Sequence, residues 1–188
     1  WKETDDTDSP VALYGATKKS NELMAFSYSN LFNIKSTGMR FFTVYGPWGR
    51  PDMSLFIFTK SIFENAEIKL FNNGDMVRDF TYIDDVVESI VKLINIDYRD
   101  KKPDNYHEVF NIGSGKPIKL IDYLVLIENE IGRKGLVKYF PMQKGDIKIT
   151  SANSNKLKEF VNFSPTTSVN EGIRYFVQWY KKYYINND

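Results

Sequence analysis

The feature that most constrains the fold of this chain is a long helical stretch that leads directly into a strand. Ser9 and Pro10 suit the N-cap and the first position of a helix, and the periodicity after them predicts that this helix runs to about Phe32. The β-branched and aromatic run from Ser36 to Val44 then predicts a buried strand. A helix followed by such a strand indicates an α/β layer structure with a parallel sheet.

Helical and extended stretches alternate along the rest of the chain. The same patterns predict helices at 53–66, 85–95, 120–131 and 153–160 and a last helix from 168, with strands at 68–71, 77–83, 108–112 and 136–140. Ser168 and Glu171 have the spacing of a capping box. The last helix carries an apolar stripe, which we interpret as core or subunit contact, of Ile173, Phe176, Val177, Tyr180 and Tyr184.

The composition excludes several kinds of chemistry. The chain contains no cysteine and one histidine, so disulfides, cysteine nucleophiles and Cys/His zinc sites are impossible. We expect that histidine, His107 at the end of a charged loop at 97–107, to be a surface residue rather than part of a catalytic triad. Acid–base chemistry would then fall to tyrosine, lysine or carboxylate side chains.

The charge and hydropathy patterns favour a small-molecule partner. The formal net charge is +1 and the basic residues are scattered, so no surface for nucleic acid is predicted. The sequence contains no apolar run of about 18 residues that would cross a membrane. The absence of cysteine fits a reducing compartment, and we expect a cytoplasmic protein.

Two short motifs have more than one interpretation. Asp84 and Asp85 resemble part of a metal site, but they stand at the start of a predicted helix and Glu88 follows Asp85 at capping-box spacing. We therefore interpret them as caps and expect no metal. The run Gly113–Lys116 resembles part of a phosphate-binding loop. The upstream glycine is missing and Pro117 replaces the Ser/Thr that would hold magnesium, so a phosphate loop is not predicted.

Tyr14 and Lys18 are the best candidates for chemistry. Four residues make just over one helical turn, so both side chains project from the same face of the first helix. A free tyrosine, with a pKa of about 10, is a poor base at neutral pH. An adjacent cation favours the phenolate, which can exchange a proton with a sugar hydroxyl. The spacing alone also fits a surface pair. The chain has a second such pair, Tyr98 and Lys102, in a polar loop that continues into Pro103.

Several longer motifs occur in a fixed order along the chain. They are LYGATKKSNELM at 13–24, GMRFFTVYGPWGRPDM at 38–53, GDMVRDFTYIDD at 74–85, NIG at 111–113 and MQKGD at 142–146. Together they cover essentially the whole chain and resemble the nucleotide-sugar branch of the extended short-chain dehydrogenase/reductase superfamily. The run at 45–53 resembles the bacterial UDP-glucuronate 4-epimerases in particular.

The resemblance implies a fold and a domain organisation. Residues 1–45 and about 76–112 would form the C-terminal part of a Rossmann-type NAD-binding domain, a parallel sheet with flanking helices. Residues 46–75 and 113–188 would form a smaller α/β domain that binds a UDP-sugar. The chain has no initiator methionine, no Gly-rich nucleotide loop and no Ser/Thr partner upstream of the tyrosine. We therefore expect a fragment of a longer protein, inactive by itself, and a homodimer when full length, paired through helices that include the Tyr14 helix.

The resemblance also implies a mechanism with NAD as cofactor. Tyr14 would take the proton from the sugar O4 while a hydride leaves C4 for NAD, and a 4-keto intermediate would turn and take the hydride back on its other face. Lys18 would hold the nicotinamide ribose and favour the phenolate of Tyr14. Phe42 and Val44 would meet the nicotinamide, although a phenylalanine at this place also suits a core.

Further positions match the family's substrate contacts. They are Thr43, Arg50, Ser54, Leu55, Phe71, Arg78 and Asp146. Thr43 would donate to the hexose, Arg50 would bind the carboxylate of a sugar acid and Arg78 would bind the diphosphate. Phe71 would stack on uracil, and Asp146 would bind the uridine ribose. Plainer alternatives remain: Arg50 in solvent, Arg78 in an ion pair, and Phe71 in the core.

The predicted function is therefore the C-terminal portion of an NAD-dependent 4-epimerase that interconverts UDP-glucuronate and UDP-galacturonate for surface polysaccharide. Within the same enzyme class, the alternative is an epimerase of a neutral UDP-hexose. From another class, the alternative is a truncated, non-catalytic module that binds UDP-sugars. Decarboxylation is less expected, because it requires the carboxylate to be held for departure.

Overall fold

Parallel strand pairs organise the fold, which confirms the predicted α/β class. The computed structural model describes residues 1–96, 107–143 and 145–186. In chain order the strands are β1 Ser36–Phe41, β2 Thr43–Tyr45, β3 Glu67–Phe71, β4 Val77–Arg78, β5 Phe80–Tyr82, β6 His107–Ile112, β7 Ile118–Lys119 and β8 Leu136–Phe140. Parallel pairs form between β1 and β6, β2 and β5, and β3 and β8, whereas β4 and β7 pair antiparallel.

Helices connect and cover these strands. They are α1 Leu13–Phe32, α2 Ser54–Glu64, α3 Ile83–Ile94, α4 Leu120–Ile131, α5 Asn155–Val161 and α6 Val169–Tyr180. A 3₁₀ turn at Asn72–Gly74 follows β3, and a π-helical turn at Lys181–Ile185 extends α6. The predicted bounds of α4 and β8 are confirmed. So is the capping box of α6, in which the Ser168 hydroxyl accepts from the N–H of Glu171 and the Glu171 carboxylate accepts from the N–H of Ser168.

Helix α1 begins later than the sequence predicts. Its N-cap is Ala12, without a side-chain hydrogen bond, so the prediction of Ser9 as the cap is wrong. The Lys19 ammonium donates to the Thr7 hydroxyl at 2.7 Å and pairs with the Asp8 carboxylate at 3.0 Å. These contacts hold the preceding chain against the side of α1, whereas a helix that began at residue 9 would continue along the axis.

The capping box predicted for α3 is also wrong. The N-cap of α3 is Tyr82, without a side-chain cap. Asp85 is buried, and its carboxylate instead accepts from the backbone N–H groups of Thr166 and Thr167 at 3.2 and 2.9 Å. A contact with a segment 81 residues away in sequence has replaced the local one, and spacing along the chain cannot reveal it.

His107 is buried rather than exposed, contrary to the prediction. It is the first residue of β6, and its Nδ1 shares a hydrogen bond with the hydroxyl of Ser36, its partner on β1. Burial lowers the pKa of the imidazole below its usual value. The loop predicted at 97–107 otherwise lies outside the described residues, as does the second Tyr–Lys pair, Tyr98 and Lys102.

The core consists of two apolar clusters. The larger lies among α2, α4, α6 and the pairs β2–β5 and β3–β8, with Phe58, Phe80 and Tyr123 at its centre. It takes in most of the predicted stripe of α6, and Tyr184, on the π-helical turn, stays half exposed. The smaller cluster packs α3 and α5 against β6. The stripe is thus part of the core.

The carboxylate of Asp79 joins segments that are distant in sequence. Asp79 is fully buried between β4 and β5. Its Oδ1 accepts from the N–H and the hydroxyl of Ser114 at 3.0 and 2.7 Å. Its Oδ2 accepts from the N–H groups of Gly115 and Ala152 at 3.0 and 2.8 Å. Its carbonyl accepts from the N–H of Thr43 at 3.0 Å. The Gly-rich loop after β6 therefore binds a carboxylate of the protein itself.

We predict that Asp79→Asn lowers the free energy of unfolding by about 2–4 kcal/mol, because an amide N–H₂ would face donors that need an acceptor. Asp84→Asn, an exposed acid in the first turn of α3, is the control and should stay within about 0.5 kcal/mol of the parent. Urea unfolding followed by circular dichroism measures both. Equal midpoints for the two variants would contradict the anchoring role of Asp79.

Candidate active site

A cleft of about 860 Å³ opens where β1 ends and β2 begins. It brings together six of the residues singled out from the sequence, Tyr14, Phe42, Thr43, Val44, Arg50 and Arg78. Its remaining lining includes Trp1, Lys2, Asp5, Thr7, Arg40, Phe41, Trp48, Gly49, Met53, Asn111, Ile147 and Thr150. Strands and loops far apart in sequence thus converge on one concave surface, which is the usual form of a ligand site.

Tyr14 is the tyrosine that the cleft presents to solvent. It lies in the first turn of α1 with 72% of its surface exposed, and the Lys18 ammonium lies 5.3 Å from the centre of its ring. An adjoining depression of about 500 Å³ is lined by both residues. Burial raises the pKa of Tyr45 and of Tyr123 above the ordinary value, which makes these core tyrosines poor proton donors and acceptors. Tyr14 is therefore the phenol best placed for proton exchange.

Residues 42–44 form the wall of the cleft at a strand switch. The N–H of Phe42 donates to Ile112 of β6 at 3.2 Å, and the next N–H, of Thr43, donates to Asp79 beside β5. The chain thus passes from one parallel pair to the other at this point. A Cβ on Gly113 would lie 3.2 Å from the Phe42 ring and 2.3 Å from the Ala152 Cβ. Close backbone packing therefore supports the wall from behind.

Arg50 stands on an exposed loop and already has a partner. Both Nε and an Nη donate to the carboxylate of Asp52, and the two side chains are 74% and 61% exposed. This hydrogen bonding raises the pKa of Arg50, with a further small contribution from nearby Tyr14, and lowers the pKa of Asp52. The planar Arg50 guanidinium can donate two parallel hydrogen bonds to one carboxylate. In this structure that carboxylate is Asp52 of the same loop.

Arg78 and Asp146 are brought together as an ion pair. The Arg78 Nη2 lies 2.8 Å from the Asp146 Oδ1, and Nη1 donates to the carbonyls of Val77 and Lys148 at 3.0 and 3.3 Å. The plainer alternative for Arg78 is therefore present in the structure. Arg78 lines the cleft and Asp146 lies beside it, so the pair still borders the concave surface.

Three other predicted substrate contacts do not line the main cleft. Leu55 is only 3% exposed and its side chain belongs to the larger core cluster, so its side chain is not available to a ligand. Ser54, beside it at the start of α2, lines a small cavity of about 20 Å³ that Arg50 also borders. Phe71 packs on Phe140 across the β3–β8 pair, with ring centres 5.7 Å apart. Phe71 is half-buried and belongs to neither apolar cluster, so both interpretations of Phe71 stay open.

The sequence did not single out several residues of the cleft. Trp48 lies in the loop before Arg50, and Arg40 and Asn111 come from β1 and β6. Trp48 stands between Pro47 and Gly49 just after a strand, and this position in the sequence could have indicated a residue of the ligand loop. Arg40 and Asn111 sit opposite one another in the strand register, a pairing that only the assembled sheet shows.

In the described residues no group of three or more His, Asp or Glu could hold a metal ion, and none of the helices described is long and apolar enough to cross a membrane.

The fold and cleft have clear relatives. A model of the "NAD dependent epimerase/dehydratase family" matches residues 2–113. The chain is 46% identical over 192 residues to protein CapI of Staphylococcus aureus, covering 96% of this chain and 58% of that protein. It is 43% identical over 196 residues to a probable UDP-glucuronate 4-epimerase of Rhizobium meliloti, covering 98% of this chain and 58% of that protein. The α/β fold is of the Rossmann type. The chain belongs to the NAD-dependent epimerase/dehydratase family.

A solved structure extends the comparison to bound ligands. The UDP-glucuronic acid 4-epimerase of Bacillus cereus, in complex with UDP-glucuronic acid and NAD, matches with a TM-score of 0.86 and 31% identity. The match covers 94% of this chain and 55% of that structure. The chain spans somewhat more than half the length of these three relatives.

Proposed function

We propose that the protein containing this chain is an NAD-dependent UDP-glucuronate 4-epimerase, which interconverts UDP-glucuronate and UDP-galacturonate through a 4-keto intermediate. The observation that carries the proposal is the single cleft shared by Tyr14, Thr43 and Arg50. These residues are a proton-exchanging phenol, a hydroxyl donor and a carboxylate-binding guanidinium. The relatives named as UDP-glucuronate 4-epimerases support the choice of substrate.

Proton transfer at the sugar O4 is the work of Tyr14. The phenol is exposed to the cleft, and the Lys18 ammonium lies 5.3 Å from the centre of its ring. In its phenolate form, the Tyr14 oxygen would accept the O4 proton as the 4-ketone forms and would return it as the hydroxyl is restored. Epimerisation requires that the ketone presents its other face between these steps, and the volume of the cleft leaves room for the turn.

The residues present fit NAD as the cofactor. Tyr14 and Lys18 line the depression that adjoins the cleft, and Phe42 and Val44 form the cleft wall beside Tyr14. Lys18 would bind the nicotinamide ribose, and Phe42 and Val44 would bound the nicotinamide ring. When bound, NAD supplies a reversible acceptor for the hydride of C4. The chain's own part is to hold the sugar and to move the proton.

Arg50 would bind the carboxylate of the sugar acid by exchanging its partner. Its guanidinium is held by Asp52 within the loop, and the incoming carboxylate offers the same two-oxygen geometry. Arg78 would bind the diphosphate, with Asp146 at the uridine ribose and Phe71 at the uracil. Ser54 and the backbone of Leu55 would contribute from the start of α2. The existing Arg50–Asp52 pair favours one alternative, an epimerase of a neutral UDP-hexose in which Arg50 never meets a ligand carboxylate.

The wider setting is also proposed. Residues 1–45 and about 76–112 would belong to the NAD-binding domain, and residues 46–75 and 113–188 to the substrate domain. The full-length protein would act in the cytoplasm, make a precursor of surface polysaccharide and form a homodimer through α1. Apolar residues of α1, including Leu13, Leu23, Met24 and Leu31, are exposed and would be covered in the dimer. Sedimentation of the full-length protein as a monomer would rule the dimer out.

We predict that Tyr14→Phe lowers kcat for UDP-glucuronate epimerisation by about 10²–10⁴-fold in the full natural chain, because the ring remains but the proton carrier is lost. Tyr28→Phe removes a hydroxyl from an exposed tyrosine of the same helix and should leave kcat unchanged. Chromatography of the UDP-sugar products, with NAD present, measures both. A parent protein that binds UDP-glucuronate without turning it over would favour the non-catalytic module.

We predict that Arg50→Ala weakens binding of UDP-glucuronate by about 10- to 100-fold, because a charge-assisted bidentate contact is lost. Binding of UDP-glucose, which lacks the carboxylate, should change by less than about threefold. Titration calorimetry gives both dissociation constants, with Arg133→Ala as the exposed-arginine control. Equal losses for the two ligands would favour a neutral substrate.

A further inference from the structure

Three aromatic rings, those of Trp48, Trp179 and Tyr183, link the last helix to the cleft, and we call them the aromatic stack. The ring of Trp48 lies 5.2 Å from that of Trp179 and 4.9 Å from that of Tyr183, between centroids. Trp179 belongs to α6 and Tyr183 to the π-helical turn that extends it, and these two rings stack at 5.7 Å. Trp48 lines the cleft and precedes Arg50 by two residues. The last helix thus reaches the loop that carries Arg50.

The backbone of Trp48 requires such support. Its φ of 61° lies in the left-handed region, which bulky residues rarely adopt. A conformation of this kind persists when surrounding contacts hold it in place. The Trp48 side chain remains 71% exposed with its neighbours in place, and the aromatic rings that contact it are those of Trp179 and Tyr183.

A second contact fixes the start of the same loop to the same helix. The Tyr45 ring packs on Gly172 of α6 so closely that a Cβ there would lie 2.1 Å from the Tyr45 hydroxyl oxygen. That hydroxyl donates to the carbonyl of Ser168, the N-cap of α6, at 3.4 Å. Helix α6 and its extension therefore contact the chain at Tyr45 and again at Trp48. The two contacts together set the path of the chain into Arg50.

We propose that Trp179 and Tyr183 are positioning residues that hold the Trp48–Arg50 segment over the cleft and so set the affinity for the sugar carboxylate. The proposal rests on the function proposed above for Arg50. The Arg50 side chain is bonded within its own loop, to Asp52, so the guanidinium moves with the loop. Loss of a ring from the stack should make the Trp48–Arg50 segment more mobile. The ligand must then order this segment when it binds, which lowers its affinity.

The test compares Tyr183→Ala with Tyr184→Ala in the full natural chain. Tyr184 is the neighbouring residue, and its ring packs on Phe56, Tyr180, Trp179 and Tyr183. The ring of this turn that contacts Trp48 is that of Tyr183. Tyr183→Ala should raise KM for UDP-glucuronate by about three- to tenfold with little change in kcat, the effect of one aromatic contact. Tyr183→Phe keeps the ring and should restore KM. If Tyr184→Ala raises KM as much as Tyr183→Ala, the change reflects general loss of packing and the proposal fails.

Limited proteolysis tests the stack without reference to activity. Chymotrypsin cleaves after aromatic residues, and the Trp48–Gly49 bond becomes accessible when the loop opens locally. Tyr183→Ala should be cut there about three- to tenfold faster than the parent and Tyr184→Ala, with the site identified by fragment mass. Equal cleavage rates, or faster cleavage with an unchanged KM, would overturn the proposal. If the parent protein turns over no UDP-glucuronate, the proposed function fails, and the cleavage rates decide by themselves whether the stack holds the loop.

Discussion

The buried carboxylate of Asp79 is the interaction on which both the fold and the cleft depend. Its donors come from the loop after β6 and from the segment before α5, and its carbonyl holds Thr43 at the strand switch. The groups that donate to it are three backbone N–H groups and the short Ser114 hydroxyl, and each satisfies an oxygen that burial removes from water. The wall of the cleft is therefore fixed by the same residue that joins the strand pairs.

The charges around the cleft are compensated within the protein. Arg40 pairs with Glu22, Arg50 with Asp52, and Arg78 with Asp146. The Arg40 guanidinium lowers the pKa of the Glu22 carboxyl by hydrogen bonding. An anionic ligand therefore competes with carboxylates already in place, and it gains only the difference between the two pairings. Such a site selects ligands by the positions of their negative charges more than by their total charge.

The sequence predicted correctly those elements whose structure depends on residues close to them in the chain. Helix α4, strand β8 and the capping box of α6 follow from local spacing, and all three are confirmed. Asp85 and His107 were misjudged because their partners lie far away in sequence. Six of the cleft residues were singled out from the sequence. Trp48 was not, although it lies within the motif at 38–53, because its ring contact comes from a helix more than a hundred residues later. The Arg78–Asp146 pair is likewise a product of packing.

The start of helix α1 affects how the site responds to heat. Ala12 provides no side-chain cap, so Tyr14 and Gly15 lie in a first turn whose N–H groups have no helical acceptor. Helix ends of this kind fray before the core melts. The position of the Tyr14 side chain is therefore less robust than the Asp79 anchor, and warming would disturb it at temperatures where the fold is still intact.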